Sequence, residues 1–208
     1  MENNNIILSP INYIGNKLTL INFYKSFMPK NIDTFYDLFG GSGIVSVNVE
    51  AKKIIYNDIN KDLVALINNI VYNSNEKYNI NNIPLMTDLN LKNSQDFLNV
   101  FKQKNIKCTC KKYTDFLNEI TPLDFVYLDP PYYITVQNPE NAFWNEKEEK
   151  KLYAFLDILN GRKIRFMMSN MIQYNNKTNN ILKNWCKQNN IPIIINPQEQ
   201  DEIIIKNY

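Results

Sequence analysis

One order recurs along this chain and limits it to few folds: a short apolar run stops at a turn, and a helical pattern follows. Residues 34–39 read as a strand running into Gly40-Gly41-Ser42-Gly43, and the residues after Gly43 read as a helix. Residues 53–57 supply a second strand ending at Asp58, and residues 61–72 a helix with Leu63, Leu66, Ile67 and Ile70 on one face. Strand alternating with helix in this way predicts a parallel sheet, so the expected class is α/β. At 208 residues and 44% hydrophobic, the chain is long enough for one well-buried core, and a single domain over 1–208 is expected.

The rest of the chain extends that pattern. Leu18 begins an amphipathic helix that Pro29 closes. Residues 73–92 are polar and Asn-rich, with Pro84, and have no regular period; the stretch 73–107 reads as a small insertion, with a helix over 95–103 and a short strand over 105–110. A helix over 113–120 should stop before Pro122. Residues 123–128, apolar except for Asp124, read as a buried strand. The helix over 146–159 is acidic at its start, and Asn160-Gly161 should supply a positive φ at its end. A strand over 163–169, a helix over 178–188 and an antiparallel pair over 191–196 and 202–206 at one sheet edge complete the reading.

Composition excludes several chemistries. The chain has no histidine, which removes the commonest general base and metal ligand, and no metal site is expected. Its three cysteines form no Cys-x-x-Cys pair and read as free thiols of a reducing cytosol. A net charge of +2 permits nucleic-acid binding without arguing for it. Residues 1–5 lack the order of a signal peptide, and no apolar run approaches the roughly 20 residues of a membrane span. A cytoplasmic protein that does not enter a membrane is expected.

Two turns carry the chemistry. Glycine backbone at the end of the first strand can approach a ligand closely, and a carboxylate after the next strand, Asp58, can accept hydrogen bonds from both hydroxyls of a ribose. That describes an adenosine site. The dinucleotide pattern Gly-x-Gly-x-x-Gly fails at Ser46, and there is no phosphate-binding Gly-x-x-x-x-Gly-Lys-Ser/Thr, so S-adenosylmethionine suits the turn better. The second turn is Asp129-Pro130-Pro131-Tyr132. Two prolines break the strand ladder and hold an acid and an aromatic ring at the carboxyl end of a strand, where open α/β sheets bind ligands.

Taken in order, Tyr13-Ile14-Gly15-Asn16-Lys17, Phe39-x-Gly41-x-Gly43, Asn57-Asp58-Ile59-Asn60, Asp129-Pro130-Pro131-Tyr132 and the closing run from Glu202 to Tyr208 resemble the Dam-type, alpha-group DNA adenine N6-methyltransferases. The resemblance covers nearly the whole chain. It implies a Rossmann-like methyltransferase fold with S-adenosylmethionine as cofactor and double-stranded DNA as partner. Tyr13, Gly15 and Lys17 would lie over the methionine end of the cofactor, Asp37, Phe39, Gly41 and Gly43 beneath it, Asp58 on the ribose, and Asp129, Pro130, Pro131 and Tyr132 would form the catalytic motif.

In that mechanism Asp129 and the Pro130 carbonyl accept hydrogen bonds from the adenine amine. Tyr132 stacks on a base flipped out of the duplex. Lys and Arg at the rim, and the aromatics Tyr133, Phe143 and Trp144, are candidates for DNA contacts.

The chain departs from the family in two places. Where family members carry an acid before an aromatic, Lys112 precedes Tyr113, the candidate adenine contact. The target-recognition region is reduced to about residues 73–107, without the family's Asn/Gly/Arg-rich hairpin, so a partner subunit or dimer could complete it. Methylation of another conjugated nitrogen, in RNA or in a protein glutamine, and a non-catalytic binding role are the alternatives.

Overall fold

A computed structural model describes residues 6–15, 17–73, 75–83, 93–136, 143–197 and 201–208. Asn16, Pro84 and parts of the expected insertion and of the loop after Tyr132 lie outside the described residues. The strands form a mixed, mostly parallel sheet with helices. The fold divides into two compact units, Met1–Phe116 with Leu123–Phe125 and Leu117–Pro122 with Val126–Tyr208.

The first unit holds β1 (Thr34–Asp37), β2 (Lys53–Asn57) and β3 (Ile106–Thr109) in the order β3-β2-β1. Both pairings are parallel, with Phe35 opposite Ile54 and Tyr56 opposite Cys108. The expected glycine-turn helix is α2 (Ile44–Asn48), a short one, and the helix expected over 61–72 is α3 (Lys61–Tyr72). Asn60 starts α3 because its side-chain oxygen accepts the Asp62 and Leu63 amides, orphan donors of a first turn. A 3-10 turn at Leu18–Leu20 leads into α1 (Ile21–Phe27), and α4 (Ser94–Gln103) presents Phe97 and Phe101 to the core.

The second unit holds β4 (Phe125–Leu128, from Val126 onward), β5 (Arg165–Met171), β8 (Ile193–Ile195) and β9 (Glu202–Lys206) in the order β4-β5-β9-β8, with α5 (Glu146–Gly161) and α6 (Asn180–Asn189). β9 is antiparallel to both neighbours, so the expected antiparallel pair is present with β8 as its outer member. α5 and α6 meet through stacked Tyr153 and Trp185 rings 5.2 Å apart, and the Trp185 indole donates to Asp157 at 2.8 Å.

Two local expectations are corrected, and one hairpin is new. The helix expected over 113–120 is only a 3-10 turn, Tyr113–Phe116. Phe116 and Ile120 are the buried members of that stretch, too few inward residues to support a longer helix. At the end of α5 the left-handed residue is Lys163, at φ 58°, not Gly161. The Lys163 and Ile164 amides cap the carbonyls of Asn160 and Leu159. Finally, β6 (Gln173–Tyr174) and β7 (Lys177–Thr178) form a tight hairpin that periodicity had not signalled. Its turn, Asn175-Asn176, has φ 45° and 63°, the left-handed pair a two-residue hairpin needs.

Candidate active site

The glycine turn is built by the residues around it. The Gly40 amide donates to the Asn57 carbonyl at 2.7 Å, and the Gly41 amide donates to Asp58 Oδ2 at 3.0 Å. Asp58 Oδ1 accepts the Asn60 amide at 2.8 Å, so one carboxylate joins the turn to the start of α3. Asp58 is buried, and desolvation raises its pKa, an effect that the Asn60, Gly41 and Ile59 amides oppose. Each carboxylate oxygen has two lone pairs, so a ribose hydroxyl can still be accepted.

Tyr56 was not singled out in the sequence, yet it shapes this turn. Its hydroxyl donates to the Gly41 carbonyl at 2.8 Å. A Cβ on Gly40 would lie 2.2 Å from the Tyr56 ring, so only glycine fits there. Burial, then Asp58, pushes the Tyr56 phenol well above its ordinary pKa and keeps it a donor. Asn57 ties the same region together. Its amide donates to the Leu38 and Lys111 carbonyls, and its oxygen accepts the Lys111 amide and the Thr109 hydroxyl.

Gly41 and Gly43 have φ 50° and 76°, which the turn requires. The Tyr13 ring passes 3.2 Å from where a Gly41 Cβ would sit, so Tyr13 lies against the turn. Lys17 is buried and its ammonium donates to the Gly15 carbonyl at 2.8 Å. Asp37 is buried at the end of β1, where Ser46 of α2 donates to it at 2.7 Å. The half-buried rings of Phe39 and Tyr113 lie 5.4 Å apart. All nine residues expected around the cofactor therefore belong to the first unit, and hydrogen bonds from the glycine turn to Tyr56, Asn57 and Asp58 tie it to the end of β2.

In the second unit, buried β4 ends at half-buried Asp129 and buried Pro130. Ser169, fully buried on β5, donates to Asp129 Oδ1 at 2.7 Å. The Tyr132 hydroxyl lies 3.1 Å from the same oxygen and 2.6 Å from Glu202 Oε1. The Tyr132 carbonyl accepts both the amide and the hydroxyl of Thr135, which fixes the 3-10 turn Tyr133–Thr135 behind the motif. Ser169 was missed because nothing in a strand's alternation marks one serine as a catalytic neighbour.

Phe143 is 71% exposed and available to a partner, whereas Trp144 is 4% exposed. The Trp144 indole is folded back onto buried Glu149, which rules it out as a surface contact.

A model of the family described as D12 class N6 adenine-specific DNA methyltransferase matches residues 13–109 and 86–203. The chain belongs to this family. Among curated relatives, the modification methylase StsI of Streptococcus sanguinis is 30% identical over 253 residues, covering 90% of this chain and 39% of its own. The type II methyltransferase M.FokI of Planomicrobium okeanokoites is 28% identical over 283 residues, covering all of this chain and 44% of its own. This D12-class chain thus spans less than half the length of those two relatives. A solved putative methyltransferase from Escherichia coli shares the fold at TM-score 0.51 and 10% identity, over 95% of this chain and 89% of that one. No helix among the described residues is long and apolar enough to cross a membrane.

Proposed function

We propose that this chain transfers a methyl group from S-adenosylmethionine to N6 of an adenine in double-stranded DNA. The observation that carries the reading is the Asp129 carboxylate, oriented at the end of a buried strand by a fully buried serine and lying beside the motif's own tyrosine. Family membership supports the substrate and the cofactor.

The first unit fits the cofactor by its donor set. Glycine backbone allows a close approach, a carboxylate is available to a ribose, and two half-buried rings offer apolar faces to an adenine. Asp58, Asp37, Phe39, Gly41, Gly43 and Tyr113 would hold the nucleoside, and Tyr13, Gly15 and Lys17 the amino-acid end. The bound cofactor supplies an electrophilic methyl group on a sulfonium.

The chain's own residues prepare the nucleophile. The exocyclic amine of adenine is weak because its lone pair is delocalised into the ring. Asp129 and the Pro130 carbonyl accept its two N–H bonds and draw the nitrogen toward a tetrahedral shape. Stacking on Tyr132 holds the base in place, and Pro131 keeps the turn stiff. Orientation of this kind can supply on the order of 7 kcal/mol of the barrier. The carboxylate also favours the positive charge that develops on the nitrogen.

The polar stretch over residues 73–107, which lacks the family's Asn/Gly/Arg-rich hairpin, supports a reduced recognition region. We assign target recognition partly to a second copy or partner subunit. Asp129→Ala should abolish N6-methyladenine formation in DNA while calorimetric binding of S-adenosylmethionine persists; methylation surviving that change would remove the mechanism. Labelled cofactor offered with DNA, RNA or protein tests the substrate class, and label in RNA or protein alone would replace the DNA reading.

A further inference from the structure

Tyr132 has one hydroxyl proton and two carboxylates in reach, Glu202 Oε1 at 2.6 Å and Asp129 Oδ1 at 3.1 Å. A phenol donates to one acceptor at a time, and the shorter O–H···O contact to a carboxylate is the stronger. Asp129 Oδ1 already accepts the Ser169 hydroxyl at 2.7 Å. Glu202 is itself buried, so its claim on the proton is little weakened by water. Strand pairing fixes where it sits: Glu202 is opposite Met171 on β5, and its carbonyl accepts the Asn196 amide.

We infer that Glu202 is a positioning residue that draws the Tyr132 hydroxyl proton away from Asp129, leaving the Asp129 carboxylate a stronger acceptor for the amine of the substrate. The inference rests on the proposed methyl transfer. Without Glu202 the phenol turns its proton to Asp129 Oδ1. That oxygen would then accept two hydroxyls, and its pull on the adenine N–H would weaken. Glu202 therefore acts through Tyr132 and touches no reacting atom. The tyrosine ring serves stacking, while its hydroxyl is a group whose direction must be controlled.

The test compares single-turnover rates of Glu202→Gln, Tyr132→Phe and the double variant on DNA, with cofactor binding measured for each. Glu202→Gln should lower the rate constant at saturation about tenfold, within the size of one charge-assisted hydrogen bond, with cofactor affinity unchanged. Tyr132→Phe keeps the ring and removes the hydroxyl that Glu202 directs, so its own rate is the reference for the double variant. The double variant should match the Tyr132→Phe rate, because without the hydroxyl Glu202 has nothing left to direct.

A purely structural role for Glu202 predicts that Glu202→Gln costs as much in the Tyr132→Phe background as in the wild type; that result overturns the inference. Wild-type rates in Glu202→Gln also overturn it. Glu202→Ala, which leaves no group to orient the hydroxyl, should lose rate in the wild-type background and lose nothing further beside Tyr132→Phe if Glu202→Gln fails to fold. Wild-type protein that methylates no DNA sinks the proposed function and this inference with it, whereas active wild type with variants out of this order sinks the inference alone.

Discussion

The Gly41 amide points at Asp58 Oδ2 across 3.0 Å, so the carboxylate expected to meet a ribose is also the clasp of the glycine turn. Asp58→Ala should therefore weaken S-adenosylmethionine binding at least about tenfold, since hydrogen bonds to a charged group contribute about 1.5–3 kcal/mol. Titration calorimetry checks it. The folded pKa of Asp58 is raised above the ordinary 3.8, so its stability contribution is complete below that value and is lost as pH rises through the folded value. Asp58→Asn should remove this slope from stability measured across the acid range.

Gly40 and Gly161 should respond oppositely to alanine. A Cβ at Gly40 would meet the buried Tyr56 ring at 2.2 Å, so Gly40→Ala should cost about 1–3 kcal/mol by overpacking and distort the turn. Gly161 closes α5 with nothing within 4 Å of an added Cβ, so Gly161→Ala should be neutral or stabilise by about 0.4–1 kcal/mol. Urea unfolding of the two variants measures both.

Glu149 is fully buried and accepts from the Trp144 indole, the Tyr153 hydroxyl and the Asn179 amide. Glu149→Ala leaves three buried donors without an acceptor. The expected loss is at least about 2 kcal/mol, because each such donor costs about 1–3 kcal/mol. Tryptophan fluorescence during urea unfolding reports it, since Trp144 loses its partner.

The cysteines should differ in reactivity. Burial holds the Cys108 and Cys186 thiols at about 12, with Glu76 adding to the effect at Cys108, while Cys110 is exposed. A thiol reagent at pH 8 should modify Cys110 first and reach Cys186 only on unfolding. Both raised thiols contribute stability that is complete below the ordinary pKa of 9.0 and is lost as pH rises through about 12. Alkaline unfolding should steepen in that window.

Local chemistry announces the class of fold and both turns. Apolar runs ending at Gly40 and Asp129, and the helical face through Leu63, Leu66 and Ile67, depend on neighbours in the chain. Tertiary structure alone decided the rest. Tyr56 reaches Gly41 from 15 residues away, Ser169 reaches Asp129 from 40, and Glu202 reaches Tyr132 from 70. The same holds where prediction failed. Trp144 turned inward because a buried carboxylate needed its indole, and the turn at Tyr113 stayed short because too few of its neighbours could be buried. Periodicity records which face a residue shows to the core. It does not record which distant side chain waits there, because those contacts are set by packing and desolvation between residues far apart in the chain.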